Sequence, residues 1–270
     1  MLHVSLAGDA LTLEEPSGLF VDLTRVNGIP VAADCAPLVE VARHGGLPRP
    51  ASKTDLVRLG SRMAYTSLRD SVESFDLTTA ALASPFAPAN GSMLQVATVK
   101  ALPRTFWLVD PRGALRCLIE ATVSRDAPQV NLDYFCTQDL GVTSGVDILA
   151  AARDPGTGRF WMHGDRGRPS DRTHYFLGVE TVGSGYEFLR EDVFDRAMDG
   201  LAHDGTDLWG LIRTTTQSIV RMSAPPFVDA SYEVPDGVEE WVGIHADADA
   251  LWLLGDDGSA GVLVRLERPT

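Results

Sequence analysis

Tryptophan recurs in this chain inside one local phrase, and that recurrence limits the fold more than any other feature of the sequence. The phrases are Thr105-Phe106-Trp107-Leu108-Val109-Asp110, Arg159-Phe160-Trp161-Met162, Asp207-Leu208-Trp209-Gly210-Leu211 and Ala250-Leu251-Trp252-Leu253-Leu254. Their tryptophans stand 54, 48 and 43 residues apart. An interval of that size is too long for leucine-rich or ankyrin repeats. Each phrase opens a short apolar run, which passes a polar turn and resumes as a second strand-like run.

Two weaker copies precede the four. Arg62-Met63-Ala64-Tyr65-Thr66 puts an aromatic residue 42 positions before Trp107, and Ile29-Pro30-Val31-Ala32-Ala33 lies a further 34 upstream. From Val31 to Trp252 there are five intervals over 221 residues, about 44 each. Six units then account for almost the whole chain, with five or seven as the alternatives since the first two copies are degenerate, and the spacing is that of β-propeller blades.

Within a unit, strands follow from alternation and turn chemistry. The last unit reads as strands at 240–245, 250–254 and 261–266, separated by turns at 246–249 and 255–258. Asp and Gly suit these turns because both tolerate positive φ at low steric cost. The aromatic residue at a fixed place in each unit is expected to fill the layer between neighbouring blades. The 41 Pro and Gly residues punctuate the chain throughout, and only 190–200 could make a helical turn or two. Residues 80–90 are the most linker-like stretch. Residues 2–6 are expected to close the ring by adding a fourth strand to the C-terminal blade, which would remove an open edge. The expected fold is therefore all-β: a single propeller domain over 1–270, with six four-stranded blades.

The "D-G-x-x-L-W" and "F-W-x-x-x-D" phrases resemble β-propellers of the broad class that includes gluconolactonase-like and NHL-type proteins, over roughly residues 15 to 268. The GH…WD signature of WD repeats is absent. The resemblance implies a central channel with ligands at one end. It implies no particular reaction, because the fold hosts hydrolases, lyases, lectins and scaffolds.

Charge and motif content narrow the function classes. With 37 Asp+Glu against 23 Lys+Arg the net charge is −14, so no basic face is available for phosphate neutralisation and nucleic acid is not an expected partner. No apolar run approaches the ~20 residues that span a bilayer. The first fifteen residues do not read as a secretion signal, and the location expected from them is cytoplasmic. Cys35, Cys117 and Cys136 form no CxxC pair, and reduced, buried thiols are expected. P-loop, dinucleotide-binding, zincin and α/β-hydrolase motifs are all missing.

In a propeller, the turns after the second strands gather at one mouth of the channel. That mouth is expected to collect Asp34, Asp70, Asp110, Arg112, His163, Asp165, Arg166, Arg213, Asp256 and Asp257. Asp55, Asp147 and Glu239 would join from the loops before the first strands. The fourth unit carries an unusually long connection, residues 163–174, with two His, two Asp and three Arg. His163 and Asp165 fit a catalytic base and its orienter, since imidazole titrates near neutrality and a carboxylate fixes its tautomer. Arg166, Arg213, Asp110 and Arg112 would bind substrate, the guanidinia suiting an anionic group. No cofactor is expected. A divalent cation such as Ca²⁺ has oxygen donors available in Asp247, Asp249, Asp256 and Asp257, but the two turns stand at opposite ends of one strand and should not share an ion.

The first functional expectation is a small-molecule enzyme of hydrolase, lyase or isomerase type at the channel mouth. The alternative is a non-catalytic protein-interaction propeller, with a carbohydrate-binding propeller last. A small-molecule ligand or a protein partner is thus expected, without nucleic acid or membrane.

Overall fold

In a computed structural model, the chain is described over residues 3–7, 10–14, 20–22, 36–51, 54–68, 72–88, 97–100, 105–109, 117–123, 129–136, 147–168, 171–182, 185–194, 196–213 and 216–269. Strands β1 (His3–Ala7), β2 (Ala10–Glu14) and β3 (Phe20–Asp22) make a three-stranded antiparallel sheet, and β4 (Ala36–Pro37) and β5 (Glu40–Leu47) follow. An eight-stranded sheet comes next. It joins one meander, β6 (Val57–Leu59), β7 (Arg62–Thr66), β8 (Val72–Asp76) and β9 (Ala81–Pro88), to a second, β10 (Ala97–Lys100), β11 (Thr105–Val109), β12 (Cys117–Val123) and β13 (Gln129–Cys136). The join is a short parallel pairing of Gln129 with Ala87 and Val130 with Pro88.

A four-stranded sheet contains β14 (Asp147–Arg153), β15 (Phe160–Arg168), β16 (Asp171–Val182) and β17 (Gly185–Phe194). A five-stranded sheet contains β18 (Ala197–His203), β19 (Leu208–Arg213), β20 (Gln217–Met222) and β21 (Ala230–Glu233), with β4 added in parallel on the outer edge. The last sheet contains β22 (Glu240–Ala246), β23 (Ala250–Asp256) and β24 (Gly261–Glu267), completed by β5. Apart from the parallel joins of β4 to β21 and of β9 to β13, the blade strands pair antiparallel, and the fold is a β-propeller.

The aromatic phrases are second strands. Tyr65, Trp107, Trp161, Trp209 and Trp252 fall on β7, β11, β15, β19 and β23. Three of the tryptophans fill successive layers between sheets. Trp161 packs with Phe176, Phe194, Leu208 and Val220, and Trp209 with Trp241, Ile244, Leu251 and Leu253. Trp252 packs with Leu56, Met63, Tyr65 and Phe75, which carries the succession from the last sheet round to β6–β8. Each large ring withdrawn from water contributes on the order of 2–3 kcal/mol of transfer free energy, so these layers hold the sheets face to face.

Two expectations about the ring are corrected. Four sheets of four strands or more make the described propeller, one of them doubled, and not six four-stranded blades. The closing strand is not residues 2–6: His3–Ala7 pairs with Ala10–Glu14, while Glu40–Leu47 pairs with β24, Val264 facing Arg43 and Leu263 facing His44. The physical reason lies in the same segment. Residues 36–47 are used as outer strands of two other sheets, so they are not available to build a blade of their own. The phrase at 29–33 lies outside the described residues. Within 190–200, residues 190–194 are strand in β17 and 197–200 are strand in β18, not helix.

Asp55 binds the ring at its centre. Its buried carboxylate accepts the backbone N–H groups of Leu56 at 2.8 Å, Leu201 at 3.1 Å and Ile244 at 2.7 Å, from three segments far apart in sequence. Gly243 permits this approach: a Cβ there would stand 2.9 Å from the Leu56 amide nitrogen and 3.0 Å from the Asp55 backbone.

Candidate functional site

His163 and Asp165 do not lie in a loop. The long connection is a continuation of the β15–β16 hairpin, which stays paired out to Arg168 opposite Asp171. His163 sits within β15, 0% exposed, and Asp165 is 4% exposed. The His163 ring stacks on His174 at 5.3 Å between centroids and meets Phe194 edge-on at 6.0 Å. Its Nε2 donates to the Arg196 carbonyl at 3.1 Å, since a carbonyl can only accept. Nδ1 is buried without a hydrogen-bond partner among the described residues. Burial, with the neighbouring His174, pushes the His163 pKa down to about 3 against the opposing hydrogen bond to Arg196. The ring is thus neutral at ordinary pH and packs as a core side chain.

Arg166 is half-buried on the same strand, with its guanidinium 4.7 Å from the centre of the Tyr175 ring. Asp110, Arg112, Asp34 and Asp70 lie outside the described residues.

Arg213 is where the sequence places it, at the end of β19. Its Nε donates to Asp199 at 2.9 Å, and its Nη2 donates to Asp199 at 3.0 Å and also to Glu240. The Asp199 hydrogen bond, partly offset by burial, raises the already high Arg213 pKa. Gln217 secures the neighbourhood: its amide donates to Asp199 and to the Trp241 carbonyl, and its oxygen accepts the Trp241 N–H at 2.7 Å. Around these residues is an open groove of about 610 Å³, lined by Arg213, Gln217, Asp236, Glu239, Glu240 and Trp241 among others. Asp256 and Asp257 stand at the same end. Arg49 grips Asp256 at 2.8 Å, and the Ser259 and Ala260 amides with the Ser259 hydroxyl hold the Asp257 carboxyl below the usual range. The expected mouth therefore assembles in part: Arg213, Glu239, Asp256 and Asp257 share an end, whereas Asp55 is a structural tie and His163 is interior.

Asp199, Glu240 and Gln217 were not singled out from sequence. The signal open to reading was position: Glu240 adjoins Glu239, and Gln217 is the first residue after the turn that Arg213 begins.

At the other end, a smaller groove of about 390 Å³ is lined by His44, Arg58, Asp247, Asp249, Trp252 and Arg265. Asp247 accepts from His245 at 2.8 Å and Arg58 at 2.5 Å, and Asp249 pairs with Arg265 at 3.3 Å. These carboxylates are neutralised by cationic side chains. Among the described residues no group of three or more His, Cys, Asp or Glu is arranged to hold a metal ion.

A third feature is the rim of the β14–β17 sheet. β17 is ten residues long, and among the described residues no strand pairs with its outer side. It bulges opposite Gly178/Val179, and Leu189 and Val193 stand 40% and 64% exposed. In the other sheets β21 is covered by β4, β24 by β5, and β9 and β13 by one another, which leaves β4 and the eight-residue β5 as outer edges among the described residues.

No family model matches the chain, and no curated protein matches it. Solved structures resemble it in outline only. The β-propeller domain of Myceliophteria thermophila Cps50 (Swd1) is 7% identical with a TM-score of 0.44, over 84% of this chain and all of that one. The N-terminal domain of Nup159 is 10% identical with a TM-score of 0.39, over 98% and 76%. A chain from an S. cerevisiae assembly of Dbp5 with Nup159, Gle1, IP6 and ADP is 10% identical with a TM-score of 0.38, over 99% and 76%. Among the described residues no helix is long and apolar enough to cross a membrane.

Proposed function

We propose that the chain is a non-catalytic protein-interaction propeller, one domain over 1–270, that receives an extended segment of a partner along β17. The observation that carries this reading is the uncovered outer edge of β17 with Leu189 and Val193 exposed on it. An edge strand offers a row of free backbone donors and acceptors, and strand addition is a common mode of peptide recognition. Charge selects the occupant. β17 carries Glu187, Glu191 and Asp192 against Arg190, within a chain of net charge −14. Two copies pairing edge to edge would set acid on acid, whereas a basic, β-prone segment is complementary. His163 lies 0% exposed within β15, so it does not stand open to a ligand at the channel mouth.

A library of ten-residue peptides alternating Lys or Arg with Val, Ile or Thr tests the proposal, with amide hydrogen exchange as the readout. A bound peptide should slow exchange within Gly185–Phe194 and lose at least about tenfold in affinity to a Leu189→Lys/Val193→Lys protein. Library members that bind only elsewhere, or equally well to the double variant, would sink it.

A further inference from the structure

The register of the β12–β13 hairpin sets Cys117 directly opposite Cys136, the first residue of one strand facing the last of the other. Only three cysteines occur in the whole chain, and two of them are cross-strand neighbours. Opposite residues of an antiparallel pair have Cα atoms about 4.5 Å apart at a non-hydrogen-bonded position and about 5.5 Å apart at a hydrogen-bonded one. Disulfides form across Cα separations of about 4.4–6.8 Å, so the backbone satisfies the requirement at either kind of position. Sequence spacing gave no hint of this, because nineteen positions separate the two residues and no CxxC is present.

We infer that Cys117 and Cys136 are a redox-responsive pair that closes to a cross-strand disulfide by exchange with a small-molecule disulfide such as glutathione disulfide. The chemistry balances in two displacements. One cysteine, as its thiolate, attacks a sulfur of glutathione disulfide, forming a mixed disulfide and expelling one glutathione thiolate. The second, also as thiolate, then attacks the protein sulfur of the mixed disulfide and expels the second glutathione. Two protein thiols are oxidised by two electrons, one glutathione disulfide is reduced to two glutathione molecules, and the two thiol protons end on them. Excess glutathione or dithiothreitol reverses both steps, so the pair is compatible with a reduced resting state.

The position gives the bond a purpose in the fold. β13 is the strand through which the second meander of the eight-stranded sheet reaches the first, at Gln129 and Val130. Cys136 ends that strand at the far side from the join. Closing the bond encloses a loop of about 20 residues and ties β13 to β12, which removes unfolded conformations in which the hairpin separates. Oxidation would hold the open end of the β12–β13 hairpin closed, and reduction would release it.

Trypsin makes the test direct, since cleavage after Arg116, Arg125 and Arg153 puts Cys117 and Cys136 on separate peptides, 117–125 and 126–153. The purified full chain is equilibrated with glutathione disulfide, alkylated and digested without reductant. The expected result is one linked species joining 117–125 to 126–153, lost on dithiothreitol treatment, unchanged in a Cys35→Ser protein and absent from Cys117→Ser. The oxidised wild-type protein should also melt at least about 5 °C higher than the reduced one, a comparison that needs no variant to fold. Links from Cys35 to either residue, links between chains only, or both peptides recovered as alkylated monomers would each overturn the pair. Because peptide binding at β17 is read separately, the two proposals stand or fall independently.

Discussion

The Asp55 carboxylate accepts the amide hydrogen of Ile244 at 2.7 Å, a contact that spans 189 positions of the chain and joins the segment before β6 to the centre of β22. Together with the amides of Leu56 and Leu201 it makes one buried acceptor for three backbone donors. Removing that acceptor leaves buried N–H groups unpaired, at about 1–3 kcal/mol for each. Asp55→Ala should therefore lower the unfolding free energy by roughly 3–5 kcal/mol in urea titration. A loss below about 1 kcal/mol would mean that water takes over the three donors and that the tie is dispensable.

Gly243→Ala tests the same junction from the other side. The new methyl would meet the Leu56 amide and the Asp55 backbone, and backbone cannot rotate away as a side chain can. The expected cost is about 1–3 kcal/mol, read as a lower denaturant midpoint with an unchanged slope. If the double variant with Asp55→Ala lost only as much as Asp55→Ala alone, the two residues would be confirmed as one coupled unit.

His163 predicts a pH dependence with a definite window. Its folded pKa is pushed to about 3, below the ordinary value of 6.5. Between these values the unfolded chain holds the extra proton, so stability falls as pH drops from about 6.5 toward 3, with a slope of at most about 1.4 kcal/mol per unit. His163→Phe should flatten that window and cost about 1–3 kcal/mol at pH 7, because the ring is packed among aromatic neighbours but its hydrogen bond to the Arg196 carbonyl is lost. An unchanged slope in the variant would place the ionisation elsewhere.

Asp204 should act at lower pH. Burial opposes its ionisation, but the amides of Asp207 and Thr206, the Trp209 indole and Arg268 outweigh it and hold the carboxyl below its usual value. Its contribution is present above pH ~3.8 and is lost as pH falls through the lower folded value. Asp204→Ala should frees the Trp209 indole, bonded to Asp204 at 2.8 Å, and shift tryptophan fluorescence while lowering stability by about 1–3 kcal/mol. Unaltered emission would show that Trp209 is held by packing alone.

The layered fold was legible because its driving residues are large and periodic. Trp161, Trp209 and Trp252 had to fill equivalent places, and Tyr65 marked β7 at the same spacing. The ring count was not legible, because residues 36–47 pair as outer strands with β21 and β24, a choice made by long-range hydrogen bonding that leaves no local pattern. The site was legible only where turn position decides it. Arg213 ends β19 and reaches the groove, whereas the stretch 163–174, which the repeat spacing makes a long connection, is strand out to Arg168. In the hairpin, Gly164 and Gly167 are paired strand residues. Asp55 looked like any loop carboxylate, since its three partners come from segments that sequence cannot bring together.

The last sheet has a consequence for synthesis. β5 is made early and β24 late, yet neither is complete without the other. A growing chain must carry Glu40–Leu47 as an exposed, unpaired strand until the final unit leaves the ribosome, and only then does the ring lock in one step. Ribosome-stalled chains ending before Gly261 should therefore be protease-sensitive at 40–47, whatever the state of the sheets between.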